Sequence, residues 1–349
     1  MTTNSQPPFA TALITGVTGQ DGSYLSESLL ADGVRVVGTT RNATGENARR
    51  FTEHLGTRAD AVELVAVDLA DPDAVAALFD RTQPDRVFHL AGQSHVGRSF
   101  EAPLETLDAN ARATLVLLEE VRRQADAGGE VRFLQASSSE LFGSADQSPQ
   151  TEQTPLRPCS PYACSKAYAY LQTIAHRQTY GLKASNAILY NHESPRRPEQ
   201  YVTRKITRAA ARIAAGLQKE LVLGRLDVGR DWGDARDTVR AMRLILEHDA
   251  ADDFIVATNT WHTLEQFLDA AFGAVELDWR DYVRQDAAFM RPQEVRHLQG
   301  DASKAQRELG WTPAYSFERL VREMVEADRR LIESEVTAAP SPPAEACPA

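Results

Sequence analysis

The sequence predicts an α/β protein: a doubly wound parallel sheet followed by a smaller C-terminal lobe. Three observations carry that expectation. Short apolar runs alternate with helical stretches through the first half of the chain. The first run ends in a glycine-rich turn, Gly16-x-x-Gly19-x-x-Gly22, that opens a helix. Beyond about residue 190 the alternation loosens into loops and helices. A chain of 349 residues with 42% hydrophobic content can bury a large sheet and a second lobe.

Taken in order, residues 12–15 form an apolar first strand, and 23–31 follow at helical spacing through Tyr24, Leu25, Leu29 and Leu30. Residues 35–39, 63–67, 86–90 and 131–136 are further short apolar runs, the pattern of parallel strands covered by helices on both faces. Helices are expected over 104–123 and 162–180, then a strand over 183–190. Later helices are expected over 202–216, 237–247 and 317–332. The domain reading is a flexible N-terminus over 1–10, a Rossmann-type dinucleotide-binding domain over 11–190, a substrate-binding lobe over 191–335, and an Ala- and Pro-rich disordered tail over 336–349.

Composition narrows the function. A net charge of −11 argues against non-specific nucleic-acid binding, since there is no chain-wide basic surface to neutralise phosphates. No window approaches the roughly 20 apolar residues of a membrane span. The start, MTTNSQPPFA, lacks the basic-then-apolar pattern of a signal peptide, so a cytoplasmic protein is expected. Cys159, Cys164 and Cys347 lack metal-ligand spacing, so neither a metal nor a disulfide framework is expected.

The chemistry-bearing residues fall at predicted strand ends. In the turn from Thr15 to Gly22, glycines permit a tight bend and the helix N-terminus offers N–H groups to a pyrophosphate. This makes Gly16, Thr18, Gly19, Gln20, Asp21 and Gly22 cofactor candidates. Arg41 and Asn42 end the second strand, where an acid would bind the ribose hydroxyls of NAD and an arginine accommodates the 2′-phosphate of NADP. NADP is the expected cofactor. Asp68 and Leu69 follow the third strand, and Leu90, Gln93 and Ser94 the fourth, where open parallel sheets bind ligands.

After the fifth strand come Ser137, Ser138, Ser139 and Glu140. A serine cluster at a strand end is by itself a turn or cap. Its meaning changes with Tyr162 and Lys166, which begin a helix after Pro155, Pro158 and Pro161 and, four apart, share one face. A phenol titrates near pH 10, and an adjacent ammonium favours its phenolate, giving a base usable near neutrality. Phenol, ammonium and carboxylate together suit a transient oxidation of a sugar coupled to loss of water.

Together TGVTGQDGSYL, AGQSHVGRSF, SSSELFG, SPYACSKAYAY, NHESPRRPE, VTRKITRA, GRLDVGRDWGDARD and RPQEVRHLQGD resemble the GDP-mannose 4,6-dehydratase family of extended short-chain dehydrogenase/reductases, from about residue 12 to 330. The resemblance implies a homodimer or homotetramer with tightly held NADP and a GDP-sugar substrate. It assigns Tyr162 and Lys166 as the base pair that takes the 4-hydroxyl proton, Glu140 as the group acting at carbons 5 and 6, and Ser138, in place of the family's threonine, as the partner of the 4-oxygen. With Ser94, these residues face the sugar. By the same resemblance His192 and Arg197 belong to the cofactor site, while Asn191, Lys205, Arg225, Arg230, Arg291 and Glu294 surround the GDP-sugar. Arginines suit a diphosphate because they donate bidentate bonds and stay charged.

The expected reaction converts GDP-mannose to GDP-4-dehydro-6-deoxymannose. Two alternatives stand beside it: the same chemistry on a GDP-heptose or other nucleotide sugar, and a catalytically silent NADP-binding regulator. An epimerase or reductase can use the same fold, but a carboxylate at the elimination position favours dehydration. Glu105 stands where the resemblance implies a tyrosine near the cofactor. Arg208 and Arg212 read as solvated helix positions, and His89 and His176 as structural.

Overall fold

The computed structural model describes residues 11–289, 295 and 297–338. The chain runs β1 (Thr11–Thr15), α1 (Gln20–Ala31), β2 (Arg35–Thr40), α2 (Glu46–Leu55), β3 (Val62–Ala66), α3 (Pro72–Thr82), β4 (Arg86–His89), α4 (Val96–Glu101), α5 (Pro103–Leu107), α6 (Ala113–Asp126), β5 (Arg132–Ser138), α7 (Pro161–Tyr180) and β6 (Lys183–Leu189). There follow β7 (Asn191–Glu193), α8 (Val202–Ala214), β8 (Leu221–Leu223), β9 (Gly229–Asp234), α9 (Ala235–Glu247), β10 (Asp253–Val256), β11 (Trp261–Thr263), α10 (Leu264–Gly273), β12 (Val283–Gln285), α11 (Ser303–Leu309) and α12 (Phe317–Ala338).

Seven strands form one sheet in the order β10-β6-β5-β4-β1-β2-β3, parallel throughout. Successive strand residues point to opposite faces, and the apolar strand sequences therefore feed two cores. Ile14, Val36, Phe88, Leu134 and Ile188 join Leu25, Leu29, Met242 and Ile245 in one. Leu13, Val37, Val87, Phe133 and Ala184 join Leu78, Phe79, Leu117 and Val121 in the other. The strand order reverses between β1 and β4, and in open α/β sheets the ligand crevice lies at that reversal.

The chain divides into two compact units. The first extends to His192, then takes back Val228–His262 and a later stretch ending at Tyr315; the second holds Glu193–Asp227, a stretch from Thr263 and one from Ser316. This corrects the expectation of a contiguous lobe over 191–335. The physical reason is β10, which pairs with β6 from Asp253↔Asn186 to Val256↔Leu189 and leaves Phe254 and Ile255 fully buried. The pairing of β10 with β6 joins residues more than sixty positions apart, which no local pattern reveals.

Two other expectations shift. The helix expected over 104–123 is interrupted by a π-turn over Asp108–Arg112. Residues 336–338, expected in the tail, belong to α12, which continues to Ala338 with Thr337 Oγ1 donating to the Glu333 carbonyl; the rest of the expected tail lies outside the described residues. The expected N-terminal segment 1–10 lies outside the described residues. In the second unit α8 packs on α10 and α12, and β8 pairs in parallel with β12.

Candidate active site

The glycine turn is built for close approach. Gly16 has φ +67°, and a Cβ there would lie 2.8 Å from the Ala91 Cα. Only glycine lets the end of β1 pass the end of β4 this closely. The turn is tied to β2 by Val17 N–H donating to the Thr39 carbonyl at 3.2 Å. Gly19 caps α1 with no side-chain hydrogen bond, which leaves the helix N-terminus open to an anionic ligand. The one acid of that first turn, Asp21, is held by His192 Nε2 at 2.9 Å and by Gln20 Nε2 at 3.1 Å. His192 in turn donates through Nδ1 to the Tyr190 carbonyl, so the structure brings Gln20, Asp21 and His192 together.

Beneath the turn lies a buried polar chain that sequence reasoning did not find. Thr15 Oγ1 meets His89 Nδ1 at 2.7 Å and accepts from Ala91 N–H; His89 Nε2 meets Thr114 Oγ1 at 3.1 Å. His89 is fully buried, and desolvation, with the charge of Lys166 adding, lowers its pKa to about 3. It is a neutral linker of β1, β4 and the start of α6, which agrees with its structural reading. Asn110, on the π-turn, was missed entirely. Its Oδ1 accepts from Gln93 N–H at 2.8 Å, and its Nδ2 donates to the Gln93 carbonyl and to Ser165 Oγ at 2.9 Å. That amide clamps the loop after β4 to the helix carrying Tyr162 and Lys166, and a side chain at Gly92 would collide with it at 2.5 Å.

Helix α7 is started by Ser160, whose side chain accepts from Ala163 N–H at 3.0 Å, with Pro161 at the first helical position. This start sets Tyr162 and Lys166 one turn apart, both buried. Lys166 Nζ donates to the Ala136 carbonyl of β5 at 2.9 Å, and burial lowers its pKa to about 8. At the end of β5, Ser138 Oγ accepts from Glu140 N–H at 3.2 Å, keeping its own proton to donate elsewhere. Glu140 is half-buried on the short turn Ser139–Leu141, which packs against α7. Thus Ser138, Glu140, Tyr162 and Lys166 are held by the end of β5, the short turn after it and the start of α7, all in the first unit.

The remaining candidates are distributed as follows. Arg41 and Asn42 are exposed immediately after β2, and Arg41 Nη1 lies 3.7 Å from Glu105 Oε1. Asp68 is exposed and Leu69 buried after β3, while Leu90 and Gln93 are half-buried and Ser94 exposed after β4. Asn191 is half-buried in β7, and Arg230 is buried in β9 and donates to the Gly229 carbonyl at 2.8 Å. In the second unit, Arg197 stacks 3.8 Å over the Tyr201 ring and pairs with Glu193 at 3.1 Å. Lys205 Nζ donates to the Val222 carbonyl at 2.6 Å, with its pKa lowered by burial, and Arg225 pairs with Asp227. Arg291 and Glu294 lie outside the described residues.

Arg208 departs from its solvated reading: its side chain is only 13% exposed, held between Glu199 and Glu335 on the packed face of α8. Among the described residues no group of three or more His, Cys, Asp or Glu side chains is placed to hold a metal ion, and no helix is long and apolar enough to cross a membrane.

A glycine turn at the sheet's reversal, with a tyrosine and lysine one helical turn apart, is the arrangement of the extended short-chain dehydrogenase/reductases. Among solved structures, the chain superposes with TM-score 0.81 on UDP-glucose 4-epimerase with UDP-glucose from Thermotoga maritima, at 25% identity over 92% of this chain and 99% of that one. It also superposes with TM-score 0.75 on RMD from Pseudomonas aeruginosa complexed with NADPH, at 26% identity over 92% and 99% of the two chains. GDP-mannose 4,6 dehydratase 2 of Arabidopsis thaliana is 49% identical over 94% of this chain and 89% of its own length. The family model described as GDP-mannose 4,6 dehydratase matches residues 13–324, and the chain belongs to that family.

Proposed function

We propose that the chain is a hydro-lyase that binds NADP and converts GDP-mannose to GDP-4-dehydro-6-deoxy-D-mannose and water, as a cytoplasmic homodimer or homotetramer. The observation that carries this reading is Glu140, set on a turn packed against the helix that presents Tyr162 and Lys166. A site for oxidation alone needs only the tyrosine and lysine; a carboxylate beside them adds the acid–base group that elimination requires.

The residues fit a dinucleotide on two counts: the uncapped N-terminus of α1 suits a pyrophosphate, and Gly16 keeps the floor of the turn free of side chain. Gly16, Thr18, Gly19, Gln20, Asp21 and Gly22 would hold the pyrophosphate end, Arg41 the 2′-phosphate, and Tyr162 and Lys166 the nicotinamide ribose. When bound, the nicotinamide supplies hydride acceptance and return. Tyr162 takes the proton of the sugar 4-hydroxyl, with the Lys166 ammonium favouring its phenolate. Ser138 donates a hydrogen bond to the 4-oxygen. Glu140 removes the carbon 5 proton, made acidic by the 4-ketone, and returns a proton to the hydroxyl leaving carbon 6.

Incubation with GDP-mannose and no added reductant is expected to yield, by mass spectrometry, a product lighter by one water. If GDP-mannose survives while a GDP-heptose or another nucleotide sugar is dehydrated, the substrate assignment fails and the chemistry stands. Tight NADP binding with no turnover of any nucleotide sugar would instead identify a regulator.

A further inference from the structure

The ribose end of the dinucleotide site holds two opposite charges. Arg41, directly after β2, is the group suited to a 2′-phosphate. Its guanidinium lies 3.7 Å from the carboxylate of Glu105, carried by α5. That carboxylate is fixed from its other side, because Arg98 Nη2 donates to both of its oxygens at 2.8 and 3.1 Å. Arg41 is 82% exposed and free to swing, whereas Glu105 is 38% exposed and anchored. A phosphomonoester arriving at Arg41 would therefore meet a carboxylate already beside the arginine. Phosphate and carboxylate compete for one guanidinium and repel each other. A ribose diol has no charge to repel and can donate to the same carboxylate, as it does to the acid of NAD-binding sites.

We propose that Glu105 sets the dinucleotide preference of this chain, weakening the 2′-phosphate site and narrowing the margin by which NADP is chosen over NAD. The proposal rests on the reading that Arg41 receives the 2′-phosphate. An exposed ion pair acts weakly, so the effect is a tuning of about fivefold. It shrinks as salt screens the charges.

The test is titration of NADPH and NADH into wild type and Glu105→Gln, which keeps the shape of the side chain and removes its charge. Glu105→Gln is expected to bind NADPH about fivefold more tightly at low salt, with NADH unchanged or weaker, so the preference widens. Equal shifts for both dinucleotides, or none for either, would overturn the proposal. Arg41→Ala isolates the underlying reading: loss of the NADPH preference supports it, and an unchanged preference refutes the Arg41 assignment. In that second case the proposal falls with the assignment, whereas loss of the preference in Arg41→Ala with no shift in Glu105→Gln would overturn the proposal alone.

Discussion

Residue chemistry at the site turns on two side chains, Glu140 and Lys166. Glu140→Gln keeps the volume of the carboxyl group but cannot take the carbon 5 proton. With a sugar substrate, the variant should still develop reduced-nicotinamide absorbance while the dehydrated product falls by about 10²–10⁴-fold; undiminished product would remove Glu140 from the elimination step. Lys166 makes the second prediction. Burial lowers its pKa to about 8 from the lysine value of about 10.4, so the ammonium is present below that pH and is lost above it. Activity that depends on the ammonium should therefore decline through pH 8. Stability should move the other way. Between about pH 8 and 10 the unfolded chain holds a proton that the folded lysine has released, so the cost of burying the charge lifts as pH rises. Denaturant titrations of wild type and Lys166→Met across that interval check this: the rise of stability with pH should be steeper in the wild type than in the variant, where the half-buried Lys205 alone of the two lysines still contributes. The placement of Tyr162 and Lys166 at the start of α7 and of Glu140 just after β5 was legible in the sequence, because the strand and helix patterns around them are local. The hydrogen bonds of His89 to Thr15 and of Asn110 to Gln93 and Ser165 were not, since no local pattern reveals such distant partners.

At the level of elements, helical periodicity located α8 and α12 from the sequence, but not what joins them. Arg204 and Asp328 stand 124 residues apart and form a buried pair, Nε to Oδ1 at 2.9 Å, with Thr207 Oγ1 donating to Oδ2 at 2.7 Å. Asp328 is fully buried, and desolvation raises its pKa, with Arg204 opposing the shift. Removing one partner of such a pair strands the other charge in a dry interior and costs about 3–5 kcal/mol. Asp328→Ala should lose about that much in urea denaturation; a loss below about 1 kcal/mol would mean that apolar packing alone holds the helices together. Periodicity also hid the break between α5 and α6. One extra residue in a turn barely disturbs an apolar stripe, yet it is from this π-turn that the Asn110 side chain reaches the Gln93 backbone.

For the whole molecule, the strand order and the return of the chain decide which parts can fold alone. Six strands of the sheet precede residue 190, and this made the α/β class legible. The seventh, β10, and the covering helix α9 arrive more than forty residues later, after the chain has visited another unit. A fragment spanning 11–190, the domain that the sequence suggests, would expose the edge of β6. It would also uncover the face now closed by Val239, Met242, Ile245 and Leu246, and would lack Phe254 and Ile255. Each such side chain contributes about 1.5–3 kcal/mol when fully buried, so the loss reaches about 10–20 kcal/mol. That is comparable with or larger than the roughly 5–15 kcal/mol that holds a whole domain folded. An open apolar sheet edge is also a template for pairing between copies. The fragment should therefore aggregate or give a non-cooperative melt by circular dichroism, while the full chain melts cooperatively. A soluble 11–190 fragment that melts in one sharp transition would show that β10 and α9 are appended to a sheet already complete without them.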